Sequence, residues 1–302
     1  MDESAPDAML VLRATASPTL ASDWSLVLAS AGIGHRVLEG GGAFSLCVAS
    51  HDASAASAAL AAYDAESASQ SAPPLPDLGP SPLGIMFSVA LLAMLLVTGP
   101  GDARAPTSWF LVGAADSVKI LHGQWWRAVT AMTLHQDIGH LVGNMLAALI
   151  FVSAVGRWLG AGLGAATIVG CGMIANLLTA LWHRHDGPFV SLGASTATFA
   201  SLGLVAGLQL WRRWRYDERR RYFWLPLGAG LALFAMTGTG ANADFAAHLF
   251  GLGVGVAAGT AIAATGARAP GFFAQGLLSA VVSAVLVGAW VLAFRASGLA
   301  PP

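Results

Sequence analysis

The chain has 302 residues, of which 56% are hydrophobic and only 10% charged. So little polar surface could not cover a soluble fold of this size, which excludes an ordinary soluble enzyme and points to a polytopic membrane protein. The net charge of −1 conceals an asymmetry: residues 1–80 carry nine acids and two arginines, and residues 81–302 carry seven acids and thirteen basic residues. In chain order, "AMLVLRAT" reads as a strand and the segment from Ser17 as a helix with Ser17 as cap and Pro18 in its first turn. Two strands follow around the glycines of "HRVLEGGGAFSLCVAS", then a second helix in "DASAASAALAAYDAES". Residues 1–68 are thus expected to form a small α/β module. The N-terminus has no basic segment leading into an apolar one, so no cleaved export signal is expected and the module is assigned to the cytoplasm. Residues 69–82, "SQSAPPLPDLGPSP", form a stiff proline-rich linker. Cys47 and Cys171 suggest no disulfide framework.

Seven apolar stretches then approach the roughly 20 residues needed to cross a hydrocarbon core. They lie near Leu83–Val97, His140–Leu159, Leu163–Trp182, Leu192–Leu210, Phe223–Thr237, Phe245–Thr265 and Gly276–Phe294. The loop "WRRWRYDERRRYFW" between the fourth and fifth carries six arginines, and the positive-inside rule assigns it to the cytoplasm. Counting spans from that loop puts the N-terminus inside and Pro302 outside. Arg157 and Arg268 fall in the other two inner loops. The segment Gly99–Gly139 is too polar to span, but with Trp109, Trp125 and Trp126 it is expected to lie partly immersed as a hairpin or short helices.

Polar groups in apolar spans are costly and therefore mark candidate chemistry. His140 and Asn144 share one helical face at the outer end of the second span; Ser195 stands in the first turn of the fourth; His248 stands near the start of the sixth, with Gly251 and Gly255 on the same side. All three spans run inward in the assigned topology, so these groups meet at one depth. A serine hydroxyl needs a positioned base to become a nucleophile, and His248 is the candidate base for Ser195. The glycine face of the sixth span would allow close approach to the fourth. His140, Asn144 and backbone N–H groups at the start of the fourth helix would stabilise an oxyanion, and Gly193 would keep the approach to Ser195 open.

At these residues the sequence resembles the rhomboid family of intramembrane serine proteases. The matching elements are Trp126-Arg127 in "WWRAVTAMTLH", "HLVGN", "GAST" and "AHLFGLGVG", in the family's order over about residues 83–265. The resemblance implies a six-helix rhomboid-like core at 83–265, and a Ser195–His248 dyad with oxyanion stabilisation by His140 and Asn144. It also implies stacking of Phe199 on the catalytic imidazole, a structural role for His135 and a loop-organising role for Arg127. Residues 266–302 then supply an additional seventh helix and a short tail. The fold class is accordingly an all-α polytopic membrane protein with an N-terminal α/β domain. Thr196 stands where the family usually has glycine.

The expected activity is endopeptidase cleavage of membrane-anchored proteins within or next to their transmembrane segment. Expected partners are such substrates, membrane lipid and a cytosolic partner for the N-terminal module, without nucleic acid, cofactor or metal. The expected location is the bacterial inner membrane. A metalloprotease would need His-Glu-x-x-His, which is absent, and His183 and His185 lie in a short loop without a third ligand. An intramembrane aspartyl protease would need two aspartates within spans, and only Asp244 is near one. The alternative from a different class is a catalytically inactive rhomboid-like protein that binds or escorts membrane clients.

Overall fold

The computed structural model describes residues 8–70, 77–101, 107–216, 224–237, 244–266 and 269–299. It divides into two compact units, Met1–Ser71 and Ala72–Pro302.

In the first unit, strands β1 (Met9–Thr15), β2 (His35–Gly40) and β3 (Ala43–Ala49) form an antiparallel sheet in the order β1-β3-β2. Gly41 and Gly42 join β2 to β3 with φ of 62° and 80°, which a two-residue hairpin loop requires at both positions. Helix α1 (Pro18–Ser30) is capped by the Ser17 side chain, which accepts from the Leu20 N–H. It packs with α2 (Ala53–Gln70) around Trp24, Leu28, Leu46, Val48, Ala56 and Leu60. Arg13 forks onto the Asp64 carboxylate at 3.0 and 2.6 Å.

The second unit is helical: α3 (Leu83–Thr98); the short helices α4 (Ser108–Gly113), α5 (Ser117–Leu121) and α6 (Arg127–Thr130); α7 (Ile138–Ala147) and α8 (Ser153–Leu159); α9 (Ala161–Trp182); α10 (Ser195–Tyr216); α11 (Leu225–Thr237); α12 (Phe245–Thr265); and α13 (Phe272–Ser297). A π-helical turn, Ala148–Val152, joins α7 and α8 into one helix. Among the described residues, four helices are long and apolar enough to cross a membrane: Ile138–Leu159, Ala161–Trp182, Phe245–Thr265 and Phe272–Ser297. The other expected spans differ for physical reasons. Helix α3 has 16 residues and α11 has 13. Helix α10 opens on Ser195, Thr196, Thr198 and Ser201 and ends on Arg212, Arg213 and Arg215, which dilutes its apolarity. Twelve residues between Thr196 and Leu208 of α10 are buried, so it is solvated by protein and needs no uniformly apolar surface. It also starts three residues later than its apolar run, because Gly193 leaves helical geometry at φ 126°. The segment Gly99–Gly139 forms short helices rather than a span; its residues 102–106, residues 217–223 of the arginine-rich loop, Arg268 and Pro302 lie outside the described residues.

The core of this unit joins Leu83, Val129, Met132, Val152, Val155, Ile168, Ala197, Leu204 and Ala289. Its longest backbone-to-backbone seam is between α10 and α12. A Cβ on Gly251 would stand 2.7 Å from the Thr196 carbonyl oxygen. Cβ atoms on Gly255 and Gly259 would strike the Ala200 and Leu204 carbonyls, and on Gly203 and Gly207 those of Leu252 and Val256. Glycine at these five positions lets backbone touch backbone. The paired numbers rise together, so the two helices run parallel.

Candidate active site

The turn that leads into α10 is held from both sides. Strands β4 (Ala115–Asp116) and β5 (Val190–Ser191) pair as a two-residue ribbon, and the Ser117 N–H donates to the Phe189 carbonyl at 2.9 Å. The Gly193 N–H then donates to the Ala131 carbonyl at 2.9 Å. At φ 126° this position suits glycine alone, and a Cβ there would also stand 2.7 Å from Nε2 of His140. Gly193 is thus the space into which the His140 ring fits. Ala194 is fully buried, and Ser195, the first residue of α10, is partly accessible.

His140 and Asn144 lie on α7. The Asp137 side chain caps this helix by accepting from the His140 N–H at 2.8 Å. The Asn144 side-chain amide donates to the His140 carbonyl at 3.1 Å, and its Oδ1 accepts from the Thr198 hydroxyl at 3.4 Å. Thr198 also donates to the Ser195 carbonyl at 3.0 Å. His140 meets Gly193 and Asn144 meets Thr198, so α7 also runs parallel to α10.

His248 is buried near the start of α12, a helix that Asp244 caps by accepting from the Ala247 N–H at 3.0 Å. The Phe199 ring lies against its imidazole, with centroids 4.6 Å apart and planes tilted by 30°. Phe199 is one turn along α10 from Ser195, and Gly251, three residues after His248, lies on the Thr196 carbonyl. The starts of three parallel helices therefore converge on the Gly193–Ser195 turn. Their positive dipole ends and unpaired N–H groups favour negative charge there.

The other predicted residues lie around this centre. Arg127 is buried and donates to the Gln124 side chain at 2.6 Å and to the Ala114 and Leu111 carbonyls at 2.9 and 3.0 Å, tying α4 to α6. Burial lowers its pKa, with Asp116 opposing the shift. Trp126 immediately precedes α6 and packs into two apolar clusters, with Val129 and with Val112. His135 is fully buried, and its ring meets that of His140 edge to face at 5.3 Å. Neither of its nitrogens has a well-formed hydrogen bond among the described residues. Burial and His140 push its pKa down to about 4, against smaller opposing pulls from the Thr133 backbone and Asp137. Gly255 serves the α10–α12 seam and lies a turn beyond the other groups. His183 pairs with Asp186 at 3.1 Å and stacks on Phe189, and no group of three His, Cys, Asp or Glu among the described residues could hold a metal ion.

Sequence reasoning missed Asp137, Asp244, Thr198 and the Ala131 carbonyl. The two aspartates carried a readable signal, an acid immediately before an apolar helix. Thr198 and Ala131 carried none, because each acts on a residue of another element.

The Rhomboid domain family matches residues 122–265. The chain is similar to the putative rhomboid protease YdcA of Bacillus subtilis (strain 168), 29% identical over 168 residues, which cover 56% of this chain and 82% of that protein. It is also similar to rhomboid protease GluP of the same organism, 27% identical over 203 residues (66% of this chain and 37% of that protein). With rhomboid-like protease 2 of Toxoplasma gondii it shares 27% identity over 178 residues, 58% of this chain and 62% of that protein. The match thus spans little more than a third of GluP.

Proposed function

On the premise that this chain is an integral membrane protein of the rhomboid family, matched over residues 122–265, we propose that it is a serine endopeptidase. It cuts membrane-anchored proteins within or beside their transmembrane segment. The observation that carries this reading is the convergence of three parallel helix starts on Ser195, with Phe199 holding the His248 ring one turn away. Ser195 Oγ attacks the scissile carbonyl carbon while its proton passes to His248. The charge that develops on the carbonyl oxygen is stabilised by His140, the free amide hydrogen of Asn144 and backbone N–H groups at the start of α10. Collapse breaks the C–N bond, and His248 gives its proton to the departing amine. Water, deprotonated by His248, then hydrolyses the acyl-enzyme and regenerates Ser195. Thr196 in place of glycine leaves its backbone N–H in position.

Full-length protein purified in detergent and incubated with a panel of single-span proteins is expected to cut at least one near one membrane surface. Ser195→Ala and His248→Ala are each expected to remove cleavage by at least about 10³-fold in a folded protein, since nucleophile and base act as a unit. Cutting by Ser195→Ala at the natural rate sinks the mechanism. A natural chain that cuts nothing yet retains bound single-span proteins supports the inactive, client-binding alternative. EDTA is expected to leave the rate unchanged.

The same reading places the N-terminal module and the basic end of α10 in the cytoplasm and the Ser195 end of the helices outside, in a bacterial inner membrane. In a background without Cys47 and Cys171, an impermeant thiol reagent added to intact cells is expected to label Ser108→Cys and to miss Tyr216→Cys. Labelling of Tyr216→Cys overturns this orientation.

A further inference from the structure

Helix α13 reaches the same end of the bundle as the candidate site, and one of its residues contacts the backbone that supports that site. Trp290 Nε1 donates to the Thr133 hydroxyl at 3.3 Å, and that hydroxyl donates onward to the Thr130 carbonyl at 2.8 Å. The Trp290 ring is itself seated firmly. A Cβ on Gly113 would strike it, and Trp109 meets it edge to face at 5.0 Å. Phe294 closes the cluster against Trp109 at 4.9 Å.

Thr133 belongs to the 3₁₀ turn Ala131–Thr133, which leads toward the site in both directions. One residue pair back, the Ala131 carbonyl holds the Gly193 N–H, two residues before Ser195. Between them Met132 is buried with its sulfur over Gly172 of α9, in the same core cluster as Ala197 of α10. Forward, the His135 carbonyl accepts from the Gly101 N–H at 3.0 Å, and the His135 ring meets His140. The rest of α13 makes no polar bond to this turn: Ala289 reaches the Met132 and Ala197 cluster by packing alone, Leu277 and Val287 are 66% and 64% exposed, and Gln275 bonds at the opposite end, to the Leu159 carbonyl and the Leu163 N–H.

We propose that Trp290 is a positioning residue, whose indole N–H fixes the Ala131–Thr133 turn and through it the Gly193–Ser195 turn. The proposal rests on the Ser195–His248 reading and adds to it a role for a helix outside the region matched by the Rhomboid domain. It concerns the hydrogen bond rather than the bulk of the ring, so conservative variants separate the two. Trp290→Phe keeps an aromatic ring and removes the donor; Thr133→Val keeps the shape and removes the acceptor.

With a single-span substrate, each of these variants is expected to lower kcat by about tenfold at unchanged KM, the signature of a misplaced reacting group. The double variant should be no worse than Thr133→Val alone, because that change already removes the Trp290 bond together with the onward bond to the Thr130 carbonyl. Val287→Ala, at an exposed position about one turn before Trp290, should turn over like the natural chain. A second readout needs no turnover: amide hydrogen exchange in a peptide covering Gly193 is expected to quicken in Trp290→Phe while exchange across α9 stays as it was. Natural kcat in Trp290→Phe with loss only in Trp290→Ala assigns the residue to packing and overturns the proposal, as do multiplying losses in the double variant. Unchanged protection at Gly193 in Trp290→Phe overturns it even in a chain that cuts nothing. Failure of the dyad reading is scored separately, by cleavage that survives Ser195→Ala in the otherwise natural chain.

Discussion

Along α10 and α12 the contact is backbone on backbone, with Gly203 and Gly207 of one helix interleaved with Gly251, Gly255 and Gly259 of the other. Helix α13 meets backbone at one point, where Gly162 of α9 lies against the Gln275 carbonyl, and is otherwise attached by side chains, among them Trp290 and Phe294 near its far end; it leaves Phe272, Phe273, Leu277 and Val287 exposed. A membrane supplies no hydrophobic drive between helices, so both contacts must come from packing and polar bonds. They divide the work by tolerance. A carbonyl cannot swing aside as a side chain can, so the seam fixes the separation of the helices that carry Ser195 and His248. Away from Gly162, the side-chain attachment at the Trp290 end can accept small shifts in α13 and transmits position chiefly at the few atoms where it bonds.

The sharpest way to break this comparison is to add atoms to the seam. Gly255→Val places a branched side chain against the Ala200 backbone, and we expect a loss of at least about 3 kcal/mol and little monodisperse protein. Natural yield and Tm for this variant would show that the seam yields after all.

The turn held by α13 provides a second, pH-dependent test. His135 is neutral in the folded chain down to about pH 4, whereas an unfolded histidine titrates near its ordinary value of 6.5. The unfolded state therefore binds the extra proton first. No penalty exists above about pH 6.5; it grows as the pH falls and levels off below about 4, reaching roughly 3 kcal/mol. Thermal unfolding in detergent should show a fall in Tm across that window which His135→Gln flattens. A parallel fall in both proteins would assign acid lability to other groups.

Gly193→Ala is expected to act more locally. The φ of 126° and the His140 ring both oppose a methyl group, and the turn before Ser195 must shift. Cleavage should drop by about 10²-fold, in keeping with a misplacement on the order of an ångström. Tm should fall less than in Gly255→Val, because the strain sits in a turn rather than in the seam. The reverse order of the two Tm values would undo the distinction drawn between seam and turn.

What was legible in the sequence follows the same division. Ser195, His248, His140 and Asn144 could be selected because a polar residue in an apolar run is costly, and helical spacing gave their faces. The i+4 spacing of Gly251 and Gly255 announced close approach, although their partner carbonyls could not be named. The π-helical turn at Ala148–Val152 has no compositional mark in "ALIFV". The β4–β5 ribbon joins residues more than seventy positions apart, and Trp290 finds Thr133 at a separation of 157. Such pairs are fixed by tertiary packing, which local pattern does not encode. The late start of α10 was hidden because Leu192 extends the apolar run past the turn that Gly193 imposes.

The smallest expected effect falls on Thr196, which lies on the seam and directly after the candidate nucleophile. Its side chain is buried, 2% exposed, and its hydroxyl has no hydrogen-bond partner among the described residues. Thr130 makes the instructive contrast: equally buried, it donates to the Gly113 carbonyl at 2.6 Å. A buried hydroxyl without a partner bears a desolvation cost with nothing in return, so replacing it by a methyl group of the same shape removes that cost. Thr196→Val should therefore raise stability by about 1 kcal/mol, whereas Thr130→Val should lower it by about the same amount. Valine keeps the backbone N–H of residue 196 and is as β-branched as threonine, so cleavage should persist at close to the natural rate. A Thr196→Val protein that melts lower than the natural chain would reveal a partner for the hydroxyl. One that melts higher but no longer cuts would mean that the hydroxyl itself takes part in the reaction, at a stability cost that the natural sequence tolerates for activity.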